Sequence, residues 1–327
     1  MIITRTPFRI SFFGGGTDYP SWFMQNGGAV VSATIDKYCW IFCRKLPPFF
    51  EHKSRVIYSH VENVKSHDEI KHPSARECLK FMGVDHGVEI HHDGDLPART
   101  GLGSSSSFTV GMLMSLNALQ GKMTSKAQLA KDAIKIEQEI LQENVGCQDQ
   151  VAVAYGGINL VEFGKNSMFH VNPVPMAGDR VRQLNENLLL FYTGVSRISS
   201  EVAAEQVKNM PKKESELRAI QGMVKEGLQI MTGSCDLSEF GKLLHKAWMT
   251  KRSLSSRISN DHIDAIYQAA VDAGALGGKL LGAGGGGFML FYAEPDKKAK
   301  VIEKLKDLLH VPFGFEYQGA QIAYYEP

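Results

Sequence analysis

A glycine- and serine-rich segment between a predicted strand and a predicted helix constrains this chain more than any other feature. Residues 96–107 read Leu-Pro-Ala-Arg-Thr-Gly-Leu-Gly-Ser-Ser-Ser-Ser. Glycine lets the backbone turn tightly and come close to a ligand. The start of a helix leaves N–H groups free and carries a partial positive charge. The segment is therefore predicted to bind a phosphate, with the serine hydroxyls as further donors and candidate metal ligands.

This segment is not a Walker A loop, because the lysine of the GxxxxGK[ST] pattern is missing. The alternative interpretation is a glycine turn followed by serine N-caps. That alternative accounts for one glycine and one serine, but not for two glycines and four consecutive serines.

Strands and helices are predicted on both sides of the segment. The helix after it, residues 104–119, is apolar nearly all round and is expected to be buried. Residues 2–13 and 29–44 are predicted strands, and residues 188–192 form a strong predicted strand that opens the second half. The length of 327 residues suggests two domains, with a boundary near residue 180.

Composition and charge exclude several classes of protein. The net charge of +1 provides no basic field for nucleic acid. There is no apolar run of about 18 residues to span a membrane, and Arg5, Pro7 and Arg9 interrupt the region where a signal peptide needs apolar residues. Five cysteines without paired spacing argue against disulfides and a zinc site. We expect a cytoplasmic protein that binds neither nucleic acid nor membranes.

Two further glycine-rich segments are candidates for ligand contacts. In residues 7–19 a predicted strand runs into three glycines, after which Asp18 could accept hydrogen bonds from the hydroxyls of a ligand. Residues 279–288 contain four consecutive glycines, whose entropic cost suggests close packing against a ligand or another loop. The alternatives are a β-bulge with a solvated aspartate in the first segment and a flexible turn in the second.

The helix predicted over residues 125–143 carries a carboxylate on its apolar side. At about 100° per residue, Glu137 lies in the middle of the apolar stripe. A buried carboxylate without a partner is costly, so it needs a cation or strong donors. Mg²⁺ that bridges nucleotide phosphates would supply that cation. The alternative is an ion pair with Arg9 or Arg99.

Asp149 follows this helix in a mostly apolar setting. An aspartate often receives the hydroxyl proton in phosphoryl transfer. Arg9, if the fold brings it close, could hold that charge and stabilise the transferring phosphoryl group. The alternative is a loop acid without a chemical role.

Together these segments resemble the GHMP kinases, the superfamily of galactokinase, homoserine kinase, mevalonate kinase and phosphomevalonate kinase. The three motifs occur in the family's order, and the resemblance covers nearly the whole chain. It implies an α+β fold with a ribosomal S5 domain 2-like N-terminal domain, which binds ATP, over residues 1–180. A ferredoxin-like C-terminal domain would occupy residues 181–327. The resemblance also implies a kinase that uses ATP and Mg²⁺.

The resemblance further implies roles for individual residues. Asp149 and Arg9 would be catalytic, and Ser105 and Glu137 would hold Mg²⁺. The implied ATP-binding residues are Pro97, Gly101, Leu102, Gly103, Ser104, Ser105 and Ser106. The predicted substrate-binding residues are Gly15, Gly16, Thr17, Asp18, Tyr192, Arg197, Gly284 and Gly285.

The first motif departs from the galactokinase pattern. Galactokinases carry Gly-Glu-His-Thr-Asp, whereas residues 14–18 read Gly-Gly-Gly-Thr-Asp, so the glutamate that grips galactose is absent. Residues 8–18, 188–197 and 248–252 look like the heptose kinase branch instead. That resemblance implies phosphorylation of D-glycero-D-manno-heptose 7-phosphate at its anomeric hydroxyl, giving the 1,7-bisphosphate in nucleotide-activated heptose biosynthesis. Two alternatives stay open: a kinase for another sugar, such as L-fucose or an unphosphorylated heptose, and a non-catalytic ligand sensor. A homodimer is also left open.

Several cations in the second half could bind a sugar phosphate. Arg197 follows a predicted strand and a glycine, and its guanidinium suits the oxygens of a distal phosphate. Four further cations, Lys246, Lys251, Arg252 and Arg257, cluster in sequence. The alternative for each of them is a solvated charge on a helix.

Overall fold

The fold combines two β-sheets with helices distributed along the chain. A computed structural model describes residues 1–164, 168–195 and 199–326, with the backbone alone at 199–201. Nine strands in these ranges form one sheet and four form another. The mixture of helices and strands confirms the predicted α+β class.

The large sheet is built mainly from the first half of the chain. Its strands are β1 (Ile2–Phe13), β2 (Gly28–Lys45), β3 (Ser54–Ile57), β4 (Val61–Val64), β5 (Val88–Gly94), β6 (Ile158–Phe163), β7 (Phe169–Pro173), β12 (Phe315–Glu316) and β13 (Gln321–Tyr325). The order is β13-β1-β2-β5-β3-β4, with β6 and β12 also paired to β2 and β7 paired to β6. β3 runs parallel to β5, and the other pairs are antiparallel. The glycines of the first motif begin where β1 ends.

The helices of the first half include α3, which forms as predicted. They are α1 (Pro20–Asn26), α2 (Pro73–Phe81), α3 (Ser104–Leu119), α4 (Lys126–Ile134) and α5 (Gln148–Tyr155). α3 packs against β1 and β2. Because it is apolar on nearly every face, it can contact the sheet and other helices at the same time.

The helix predicted over residues 125–143 is present but changes type. Ser125 caps α4 by accepting a hydrogen bond from the Gln128 N–H at 3.1 Å. Beyond Ile134 the chain continues as a π-helix, Lys135–Ile140. The assumed advance of about 100° per residue therefore fails over this stretch. Glu137 nevertheless faces the interior and is 0% exposed.

The second sheet has four antiparallel strands in the order β11-β8-β10-β9. They are β8 (Leu188–Tyr192), β9 (Gly277–Leu280), β10 (Phe288–Tyr292) and β11 (Leu309–His310). The accompanying helices are α6 (Gly178–Asn187), α7 (Ser199–Asn209), α8 (Glu214–Thr232), α9 (Ser238–Arg252), α10 (Asp261–Asp272) and α11 (Pro295–Lys304). α9 packs against β9, and α8 packs against β1 and β2, so the two halves are in direct contact.

The predicted division of the chain near residue 180 stays a prediction. After the second sheet the chain returns to the large sheet, where β13 pairs with β1 and β12 with β2. Within the described ranges, no helix has both the length and the apolar composition that crossing a membrane requires.

Candidate active site

All three glycine-rich segments contribute to one cleft. Gly101 in residues 96–107 and Gly282 in residues 279–288 lie against each other, since a Cβ on Gly282 would lie 2.4 Å from the Gly101 Cα. The residues from these segments that line the cleft are Arg9, Ser11, Gly15, Gly16, Asp18, Tyr19, Arg99, Gly101, Gly103, Ser104, Ser105, Ser106, Lys279, Gly282 and Ala283. The glycines allow backbone contacts that a side chain would prevent.

The loop before α3 has the geometry expected of a phosphate-binding segment. Gly103 takes the N-cap position with a φ of 77°, a conformation that favours glycine. The helix that begins at Ser104 directs its first N–H groups toward this end of the helix. Leu102 is buried in the core, so only its backbone is available to a ligand. Pro97 is exposed outside the lining of the cleft, and its carbonyl accepts a hydrogen bond from Thr100 Oγ1 at 2.7 Å.

Arg9 and Asp149 form a bidentate ion pair, so the fold does bring the two side chains together. Arg9 Nε donates to Asp149 Oδ1 at 2.8 Å, and Nη2 donates to Oδ2 at 2.7 Å. Arg9 Nη1 also donates to the Gly101 carbonyl at 2.7 Å. Asp149 lies in the first turn of α5, a helix that the sequence analysis did not recognise. Arg9 thereby connects the carboxylate to the candidate phosphate loop.

Asp18 is a second carboxylate in the cleft and is held by the backbone. Its Oδ1 accepts from the Gly16 N–H at 2.9 Å, and its Oδ2 accepts from the Gln148 N–H at 3.3 Å. Burial raises the pKa of Asp18, and the charge of nearby Asp149 raises it further, while the backbone N–H groups oppose the shift. The residue is fixed in place before any ligand arrives.

Glu137 is buried, and none of the described cations pairs with it. Its Oε2 accepts hydrogen bonds from Ser106 Oγ at 2.9 Å and from Gln150 Nε2, whereas Oε1 has no donor among the described residues. Burial raises the pKa of Glu137 to about 7. The alternative of an ion pair with Arg9 is wrong, because Arg9 binds Asp149.

The surroundings of Glu137 fit a magnesium ion. An unpartnered carboxylate oxygen beside the Ser106 hydroxyl offers the oxygen ligands that Mg²⁺ prefers. Ser106 is the serine in contact with Glu137, whereas Ser105 is exposed in the cleft. The described residues contain no group of three or more His, Cys, Asp or Glu that could hold a metal. Mg²⁺ usually needs only one or two carboxylates when nucleotide phosphates complete its shell.

Several predicted substrate contacts lie away from the lining of the cleft. Thr17 is buried, and its hydroxyl bonds to the carbonyls of Gly14 and Ala29, which shapes the turn. Tyr192 packs on Phe288 within the second sheet. Gly284 and Gly285 pack against Ile258 instead. Arg197 lies outside the described residues.

Two lysines and one glutamine from the second half of the chain also line the cleft, and of these only Lys251 was among the cations that the sequence offered for a sugar phosphate. Lys251, Lys279 and Gln206 contribute from α9, β9 and α7. The sequence held a signal for Lys251, because it shares a helical face with buried Leu244 and Trp248. Lys279 is the first residue of the glycine-rich segment 279–288.

A second pocket adjoins the cleft beside the start of α3. Arg99, Ser104, Ser105 and Glu143 line both spaces. The second pocket is also lined by Tyr58, His72, His92 and Phe108, and the rings of His72 and Phe108 stack with centroids 4.5 Å apart. Flat aromatic faces next to a candidate phosphate loop suit a planar group.

The chain is similar to several sugar kinases over nearly its whole length. The D-glycero-alpha-D-manno-heptose 7-phosphate kinase of Campylobacter jejuni is 30% identical over 93% of this chain and 93% of its own length. The L-fucokinase/L-fucose-1-P guanylyltransferase of Bacteroides fragilis is 27% identical over 92% of this chain, which corresponds to 35% of that protein. The crystal structure of a D-glycero-D-manno-heptose 1-phosphate kinase from Bacteroides thetaiotaomicron has the same fold, with a TM-score of 0.80 at 23% identity and 100% of both chains covered.

Family models identify both halves of the chain. The GHMP kinases N terminal domain matches residues 70–157. The GHMP kinases C terminal domain matches residues 231–311. The chain belongs to the GHMP kinase family and is an ATP-dependent kinase.

Proposed function

We propose that this kinase phosphorylates the anomeric hydroxyl of D-glycero-D-manno-heptose 7-phosphate to give the 1,7-bisphosphate. The observation that carries the proposal is the placement of the Arg9–Asp149 pair and Asp18 beside the loop before α3 in one cleft. The similarity to the Campylobacter jejuni heptose 7-phosphate kinase over nearly the full length supports the choice of sugar. Both proposed substrates are metabolites of the cytoplasm, which is the location we propose for the protein.

ATP would lie along the start of α3. The N–H groups of residues 101–106 would bind its phosphates, and the helix charge would favour them. The adenine ring would stack in the adjoining pocket against the faces of Tyr58, His72 and Phe108. Glu137 and Ser105 would hold Mg²⁺, which when bound neutralises negative charge on the phosphates.

Asp149 would act as the base that takes the proton of the sugar hydroxyl. A carboxylate has about four lone-pair sites, so the contacts with Arg9 leave room for a hydroxyl donor. Arg9 keeps the carboxylate oriented, and its contact with the Gly101 carbonyl holds it at the loop. Asp18 would accept hydrogen bonds from other sugar hydroxyls, with the backbone of Gly15 and Gly16 against the ring.

Arg197 stays our predicted contact for the distal phosphate. Replacing it by Ala should raise the KM for heptose 7-phosphate about tenfold or more, since a charge-assisted pair is lost, and leave the KM for ATP unchanged. An unchanged KM for the sugar phosphate would exclude this role.

A panel of sugars separates the proposed activity from its rivals. Heptose 7-phosphate, unphosphorylated heptose, L-fucose and galactose are each incubated with ATP, and ³¹P NMR identifies the product. We expect phosphorylation at the anomeric position of heptose 7-phosphate with the highest kcat/KM. A preference for L-fucose, which the similarity to the Bacteroides fragilis enzyme would favour, would overturn the proposed substrate. ATP binding without consumption on any sugar would support a non-catalytic sensor.

A further inference from the structure

Two lysines lie buried in the cleft without a carboxylate partner. Lys251 is 9% exposed and Lys279 is 5% exposed. Lys251 Nζ donates to the Gly282 carbonyl, and Lys279 Nζ donates to the carbonyls of Ser11 and Phe12 at 2.9 and 2.8 Å. Neither forms an ion pair within 4.0 Å with a described residue. Burying an unneutralised ammonium group is costly, so this arrangement needs an explanation.

The neighbours of Lys251 in sequence show that it is exceptional. Lys246 pairs with Glu226 at 3.2 Å and Arg257 pairs with Glu205 at 2.8 Å, and both side chains are largely exposed. Arg252 pairs with Asp264 and stacks near Trp248. The alternative of a surface charge therefore applies to these three cations. Lys251 instead shares the buried face of α9.

The contacts of the two lysines place them where the reacting groups would meet. Lys251 bonds to Gly282, which lies against Gly101 of the candidate phosphate loop. Lys279 bonds to Ser11, whose hydroxyl lies 3.4 Å from a Cβ built on Gly15 in the first motif. Lys251 is therefore on the nucleotide side of the cleft and Lys279 is on the sugar side.

The remaining charges of the cleft do not neutralise these lysines. Arg9 and Asp149 balance each other, and Asp18 already accepts backbone hydrogen bonds on both oxygens. An ammonium group has three donors, so Lys251 keeps two for a ligand and Lys279 keeps one when it is protonated. Burial, and after it the charges of Lys251 and Arg9, lower the pKa of Lys279 well below its usual value, and an anion beside it would favour the protonated form. Burial, and after it the charge of Arg9, lower the pKa of Lys251 to about 8, against the opposing charges of Asp18 and Asp149. An anionic ligand would offset the cost of burying these ammonium groups.

We propose that Lys251 and Lys279 form an anion subsite for the phosphoryl group in transfer, with Lys251 as a catalytic residue that binds its oxygens. The inference rests on the proposed function. In the transfer, the bond from the γ-phosphorus to the oxygen of ADP breaks and the bond to the sugar oxygen forms. The hydroxyl proton passes to Asp149, and both lysines keep their protons. Lys251 would then stabilise the negative charge on the phosphoryl oxygens together with Arg9.

Lys251→Met tests the subsite, with Lys246→Met on the same helix as the matched control. We expect Lys251→Met to lower kcat by about 10²–10³-fold, because a preorganised charge is lost in the transition state, with each KM within about threefold of wild type. Lys251→Arg should recover part of the loss. Lys246→Met should behave like wild type. Thermal melting checks the fold of each variant, and Lys251→Gln replaces Lys251→Met if the latter does not fold.

A binding measurement distinguishes a catalytic role of Lys251 from a purely structural one. ADP with aluminium fluoride and the sugar phosphate mimics the phosphoryl group in transit. Its affinity should fall in Lys251→Met by about the same factor as kcat, while ADP alone binds as in wild type. A kcat within threefold of wild type, or a loss confined to the KM for the sugar phosphate, would overturn the inference. If the wild-type protein prefers another sugar, the same comparison on that sugar tests the subsite independently of the proposed substrate.

Discussion

Gly146→Ala should disable sugar binding through a single misplaced methyl group. A Cβ at residue 146 would lie 1.9 Å from Asp18 Oδ2 and 2.6 Å from its carboxyl carbon. The φ of Gly146 lies outside the left-handed region, so alanine can adopt this backbone. The added methyl group therefore acts on Asp18 rather than on the chain.

The size of the effect follows from how far the carboxylate has to move. Ordinary contact begins near 3.4 Å, so Oδ2 has to retreat by about 1.5 Å. That displacement breaks the 3.3 Å hydrogen bond from the Gln148 N–H and turns Oδ1 from the Gly16 N–H. A hydrogen bond to a charged group contributes about 1.5–3 kcal/mol. Losing one such bond between Asp18 and a sugar hydroxyl should weaken sugar binding about tenfold to a hundredfold.

Calorimetry with a non-hydrolysable ATP analogue present measures this sugar affinity directly. Gly222→Ala is the control, because a Cβ there meets nothing within 4 Å and alanine favours the interior of α8. A double-mutant cycle with Asp18→Ala isolates the cause. Once the carboxylate is gone, Gly146→Ala should have little further effect. If the two losses instead multiplied, or Gly146→Ala bound sugar normally, the proposed role of Asp18 would be refuted.

Two further perturbations test the carboxylates. Asp149→Asn should lower kcat by about 10²–10⁴-fold and leave ATP affinity within a few-fold, because the asparagine keeps the shape but cannot take a proton; near-normal turnover would exclude Asp149 as the base. Glu137→Gln removes a carboxyl group whose pKa is raised from 4.5 to about 7 in the folded protein. The folded state therefore binds this proton more tightly than the unfolded state does. The stability that the protonated carboxyl group contributes is lost as pH rises from about 4.5 to 7. In urea unfolding without nucleotide, the free energy of unfolding of the variant should rise relative to that of wild type by about 3 kcal/mol between pH 4 and pH 8. If the difference in unfolding free energy between variant and wild type did not change with pH, Glu137 would not be buried as described.

Local chemistry explains why much of the fold and site could be predicted from sequence. The bounds of β1, α3 and β8 follow from strand composition, serine and glycine signals, and apolar runs, all of which act within a few residues. The three glycine-rich segments were recognisable because close backbone approach requires glycine wherever it occurs. The π-helix at Lys135–Ile140 was missed because no proline or glycine marks it.

Tertiary packing decided which members of each motif reach the cleft, and sequence does not encode that choice locally. Thr17 turns inward to bond the carbonyls of Gly14 and Ala29, although it directly precedes Asp18. Gly284 and Gly285 pack against Ile258, although they lie only two and three residues beyond Gly282, which lines the cleft. Within each of these short stretches, some residues line the cleft and their neighbours face inward, and the residues packed behind the stretch decide which.

The unpaired buried charges of both signs are best explained together. Among the residues that the structure describes, Glu137 has no cation beside it and Lys251 and Lys279 form no ion pair, and the three lie on separate elements without pairing with each other. Moving any of them to form an internal pair would take it away from the phosphate loop. A nucleotide with its metal ion carries phosphate charge for the lysines and metal charge for the carboxylate, so one ligand can satisfy both sets. This pattern implies that the free protein is held below the stability that its packing would allow, and that binding restores it in proportion to ligand concentration over Kd.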